Sequence, residues 1–144
     1  MSTRGLIGIR TNEGWKTIYN HSDSYPDYLG KMLKAHYNTS KKAEELIGLG
    51  DLSYVRKDIG EKHNFDKAYE EHPDWTLAYG RDRGEMNIRP KTFKTLEELY
   101  NHATNTNAEY VYIFDAGKWK TYKVDNTLVP VSTKRNSEKK LNYA

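Results

Sequence analysis

The chain has 144 residues, 36% of them apolar and 30% charged, with a formal net charge of +3. That length suits one domain with one real core and leaves too little apolar material for a second, while 12 Tyr, 3 Trp and 3 Phe exclude a disordered chain. No cysteine is present, which excludes disulfides, thiolate metal ligands and a cysteine nucleophile, and no apolar run approaches the length of a bilayer span.

The opening residues MSTRGLIGIR lack the apolar h-region of a signal peptide, so the expected location is the cytoplasm. The positive charge is concentrated at one end. Lys134, Arg135, Lys139 and Lys140 against Glu138 account for all of it, leaving the preceding residues formally neutral. The expected organisation is therefore a single domain over 1–132 and a basic, flexible tail over 133–144. Charge gives no indication of nucleic-acid binding by the folded body. The tail reads as solubilising, with a salt-sensitive phosphate grip as its alternative.

Taken in chain order, residues 4–10 alternate Ile7 and Ile9 with Gly8 and Arg10, which predicts a strand. A turn at 11–14 leads to a second strand over 15–21, with Trp15, Thr17, Tyr19 and His21 on one face. A helix is predicted from Ser24 as cap, with Pro26 in its first turn and a stripe of Leu29, Met32, Leu33 and His36. A second helix spans about 40–49, with Ala43, Leu46 and Ile47 inward and Gly48 and Gly50 ending it.

Leu52, Tyr54 and Val55 anchor a short strand or turn, and the charged stretch that follows, to residue 74, reads as a long surface excursion. Residues 75–81 (WTLAYGR) read as a strand closing in a turn at Gly84. Thr95-Leu96-Glu97-Glu98 is a capping-box pattern opening a helix with Leu96, Leu99, Tyr100 and Ala103 on its inner face. The clearest hairpin joins 109–115 to 118–124 through Ala116-Gly117. Both of its faces are apolar or aromatic, which predicts a central place in the sheet with helices covering at least one side. Residues 126–132 add an edge segment interrupted by Pro130. The fold class expected is α+β: a small antiparallel sheet of about five strands with two to three helices packed on it.

The ensemble MSTRGLIGIR, IYNHSDSYP with GKML after it, AEELIGLGDLS, AYGRDRGE and IFDAGKW resembles a family of small proteins encoded by phages and prophages. The resemblance spans most of residues 1–124 and implies a viral accessory protein acting in the host cytoplasm. This chain carries Asn20 and Ser22 where a cysteine and an aromatic are common in that family.

Two polar stretches are candidate ligand sites. Tyr19, His21, Asp23 and Tyr25 lie where the second strand meets the first helix, whose free N–H groups would favour a phosphate. Their structural alternative is capping by Asp23 and Ser24, a staple at Tyr25 and a hydrogen-bonded, half-buried His21. The second stretch runs from Tyr79 to Glu85. If it is extended, Arg81 and Arg83 point the same way and can grip phosphate bidentately, while Gly80 and Gly84 let the backbone approach a ligand. Its structural alternative is an exposed turn laced with ion pairs.

His21, His36, His63, His72 and His102 show no metal-ligand spacing, and neither a nucleotide-binding glycine loop nor a serine elbow is present. No metal, cofactor or catalytic residue is therefore expected. The leading functional expectation is an anti-defence protein that sequesters a phosphorylated, nucleotide-like signal molecule without turnover. Its ligand-binding residues would be Tyr19, His21, Asp23, Tyr25, Tyr79, Arg81 and Arg83. One alternative is a phosphodiesterase or nuclease with His21 as general base and Arg81 or Arg83 stabilising the transition state. Another is an inhibitor of a host protein that uses exposed tyrosines as anchors. The partners expected are thus a small nucleotide-like ligand or a host protein, with no membrane, and with a homo-oligomer allowed.

Overall fold

The structure, a computed structural model, describes residues 2–131. The basic tail expected at 133–144 lies outside the described residues. Eight strands form one sheet: β1 (Gly5–Thr11), β2 (Gly14–Asn20), β3 (Leu52–Tyr54), β4 (Leu77–Ala78), β5 (Lys91–Phe93), β6 (Tyr110–Asp115), β7 (Lys118–Asp125) and β8 (Thr127–Pro130). Their spatial order is β4-β3-β2-β1-β6-β7-β8, with β5 paired to the other end of β2.

The helices are α1 (Lys31–His36), entered through a π-helical turn at Pro26–Gly30, α2 (Ser40–Gly48), α3 (Ala68–Glu71), α4 (Tyr79–Arg83) and α5 (Leu96–Asn105). The α+β class thus holds, but the sheet is larger than the five strands expected. It is also mixed rather than antiparallel, because β1 runs parallel to β6 and β2 parallel to β3. Sequence-local hairpins are readable from turn chemistry, whereas the parallel pairings join distant segments and leave no local signal. Among the described residues no helix is long and apolar enough to cross a membrane.

Strand alternation sends side chains to both faces, and helices cover both. Ile7, Ile9, Ile18, Tyr112 and Phe114 face α1 and α2, where Leu33, Leu46 and Ile47 close the larger core. Leu6, Val111 and Ile113 face the opposite way onto Leu99 and Ala103 of α5. The central position predicted for the 109–124 hairpin is observed, with β6 between β1 and β7. At its turn both Ala116 and Gly117 have positive φ, as a two-residue hairpin turn requires.

One helix start differs from expectation and another matches it. Ser24 does not cap the first helix. It is fully buried, its hydroxyl takes a hydrogen bond from the Asn20 side chain (2.8 Å) and its carbonyl accepts the Tyr112 hydroxyl (2.5 Å), so helical geometry begins after Tyr25. At α5 the capping box forms as read. Thr95 Oγ1 accepts the Glu98 N–H, and the Glu98 carboxylate reaches back to the N–H of Lys94. Leu96 was expected on the inner face but remains largely exposed.

Candidate functional site

The strand predicted over 75–81 survives only as Leu77–Ala78, after which the chain turns into α4. Helical geometry separates the two arginines that an extended segment would have aligned. Arg81 folds inward. Its Nη1 donates to the Ile59 carbonyl and Nη2 to the Thr76 carbonyl (2.8 Å each), and Nε donates to Asp82 Oδ1 (2.9 Å). Asp82, whose side chain is fully buried, also accepts the N–H groups of His63 (3.1 Å) and Ala78 (2.8 Å). This pair clamps the 56–74 excursion to β4 and engages the Arg81 guanidinium that the sequence offered as a ligand grip.

Arg83 remains at the surface, over the Phe65 ring at 4.3 Å and the Tyr79 ring at 5.1 Å, and paired with Glu85. Gly84 closes α4 in the left-handed region, and Gly80 packs on Ile88, which fills the space a ligand would need there.

The first predicted stretch divides in two. Asp23 turns the chain with φ 57, and Tyr25 lies with Tyr28 on the α1 entry, 41% exposed. Tyr19 and His21 instead stay on the β2 face predicted for them, joined by a 2.8 Å hydrogen bond between the Tyr19 hydroxyl and His21 Nδ1. The two candidate stretches meet across β3. Asp51, at its start, accepts the Tyr19 N–H on Oδ1 (2.9 Å) and the Tyr79 N–H on its carbonyl (3.2 Å).

Tyr19 opens onto a polar hollow of about 290 Å³ lined by Thr17, Tyr19, Asp51, Lys91, His102 and Thr106. Its floor is β2, one wall is β5 and the other is α5. The register pairs Thr17 with Lys91, and Thr17 Oγ1 donates to the Lys91 carbonyl (3.3 Å). His102 lies against Phe93 with ring centroids 4.9 Å apart. Gly50, immediately before Asp51, fits closely against Ile88. Its φ is +78 and the Ile88 carbonyl lies where a side chain would project, a position only glycine fills without strain.

Titration in the hollow departs from ordinary values in directions set by burial. Burial pushes the Asp51 carboxyl up, against the opposing pull of the Tyr19 N–H and Lys91. The His102 imidazole is pushed down by burial and by the Lys91 ammonium. Burial raises the Tyr19 phenol, opposed by the Arg4 guanidinium beside it and reinforced by Tyr79 and Asp51. Larger hollows of about 650 and 590 Å³ flank the β1–β2 hairpin tip, but they are lined mostly by exposed side chains such as Arg10, Asn12 and Lys94 or Lys16. Convergent polar groups with shifted titration favour the smaller one as the functional site.

Of the residues predicted from sequence, only Tyr19 lines this hollow, with His21 bonded to it and Tyr79 beside it. Thr17 was legible, since it shares the strand face with Tyr19. Asp51, Lys91, His102 and Thr106 converge from three separate segments, and only the fold brings them together. Comparison with protein-family models, with curated proteins and with solved structures finds no match.

Proposed function

We propose that this protein binds a phosphorylated, nucleotide-like molecule in the hollow between β2, β5 and α5, and holds it without turnover. The observation that carries this reading is the pairing left unmade there. Asp51 and Lys91 face one polar hollow, yet among the described residues they form no ion pair with each other or with another side chain. Lys91 offers a cation for phosphate. Tyr19, which lines the hollow, offers an aromatic ring for a base. A hollow of about 290 Å³ lies at the small end of ligand sites, a size that suits a nucleoside phosphate.

The phosphodiesterase alternative asks Arg81 or Arg83 to stabilise developing charge, and it is weaker because the Arg81 guanidinium is engaged by two carbonyls and Asp82 while Arg83 is paired with Glu85. The resemblance to phage and prophage proteins supports a viral accessory role, with a host signal molecule as the ligand and defence as the process opposed.

The test is depletion and recovery. The purified protein is incubated in excess with cyclic and linear nucleotides, the free fraction is assayed, and the protein is then heat-denatured to release what it held. The expected result is return of an intact nucleotide, and loss of depletion in Lys91→Ala. Recovery of a cleaved product would instead support the phosphodiesterase, and no depletion would leave a host protein as the partner.

A further inference from the structure

We infer that Asp51 is the specificity-determining residue of the hollow, and that it reads adjacent hydroxyls of a ribose, so that the ligand is a ribonucleotide rather than a deoxyribonucleotide. This rests on the binding reading above and narrows it to one chemical class.

The three hydroxyls lining the hollow already have protein partners: Tyr19 bonds His21 Nδ1, Thr17 donates to the Lys91 carbonyl, and Thr106 donates to the carbonyls of His102 and Ala103. Among the described residues the groups without a side-chain partner are the second carboxylate oxygen of Asp51, the Lys91 ammonium and the His102 ring. An ionised carboxylate only accepts and an ammonium only donates. A complementary ligand must therefore present donors at Asp51 and an acceptor at Lys91. A ribose carrying a phosphate supplies both within a hollow of about 290 Å³, and a carboxylate is a recurrent partner of ribose hydroxyls in nucleotide sites.

Asp51 is also held for this task from three directions. Its N–H donates to the Ile88 carbonyl (2.9 Å), its carbonyl accepts the Tyr79 N–H (3.2 Å) and Oδ1 accepts the Tyr19 N–H (2.9 Å). The carboxylate is thus oriented before any ligand arrives, with one oxygen left open. Burial pushes this carboxyl up, so keeping it ionised costs folding stability.

The test is calorimetric titration of the full-length chain with adenosine 5′-monophosphate and 2′-deoxyadenosine 5′-monophosphate, repeated with the uridine pair so that base identity does not decide the outcome. The expected result is binding of the ribose forms about tenfold to a hundredfold tighter, the effect of one hydrogen bond to a charged group. Asp51→Asn should bind both forms alike and melt at the same or a higher temperature. Equal binding of ribose and deoxyribose forms by the unaltered protein would overturn the assignment while leaving nucleotide binding intact. Binding of none of the four would overturn both. A variant that keeps the discrimination, or whose melting temperature falls by several degrees, would make Asp51 structural and overturn the inference.

Discussion

Arg81 and Arg83 stand two positions apart, yet the fold gives them opposite duties, and the difference is measurable. Removing Arg81 leaves the buried Asp82 carboxylate without its charge partner, so Arg81→Ala should lower stability in urea unfolding by about 3–5 kcal/mol. Arg83, paired with Glu85 at the surface, should cost no more than about 1 kcal/mol as Arg83→Ala. Equal losses would contradict the assignment. The sequence could not separate the two, because their roles depend on whether residues 79–83 are extended or helical, and the β-like run WTLAYGR favours the wrong choice. His102 supplies a second check. Its folded pKa lies below its unfolded one, so the unfolded chain binds more protons as pH falls through that interval, and stability is lost on acidification below about 6.5. In His102→Gln this part of the acid sensitivity should disappear from melting curves taken across pH 5 to 8.

Elements with strong local signals were legible, and those fixed by distant partners were not. The 109–124 hairpin and α5 follow from period-2 alternation and a capping box, and the same residues do both jobs in the structure. Strand β5, three residues long, is too short for periodicity to register and exists because β2 offers its edge, whereas β3 and β4 are short remnants of the stretches read at 52–55 and 75–81, β3 pairing with β2 and β4 with β3. The excursion after β3 looked like a loop by composition alone. It is organised by Tyr37, whose hydroxyl reaches the Arg56 carbonyl and Thr76, by the Arg81–Asp82 pair, and by Trp75 lying against Gly60. Gly60 has φ +70, and a methyl group there would meet the indole ring. Gly60→Ala should therefore destabilise by more than about 1 kcal/mol, combining backbone strain with displaced packing. The loss should appear in urea unfolding, and an unchanged midpoint would show that this loop gives way freely.

On the scale of the whole molecule, a mixed sheet with helices on both faces places its hollow where β2 stops being covered. β5 takes the near end of β2, β3 takes the far end, and α5 overhangs the gap between them. That gap is a product of strand order, which explains why its lining residues are scattered through the chain. Only the Tyr19 stretch announced itself, because strand alternation put Thr17, Tyr19 and His21 on one face. The proposed ligand sits in this hollow. Backbone amide shifts, followed by NMR as adenosine 5′-monophosphate is added, measure that directly. The expected result is a perturbed cluster at Thr17, Tyr19, Asp51, Lys91, His102 and Thr106, with the hairpin tip at Arg10 and Asn12 unchanged. Shifts gathered at that tip, with the β2–α5 face silent, would contradict it.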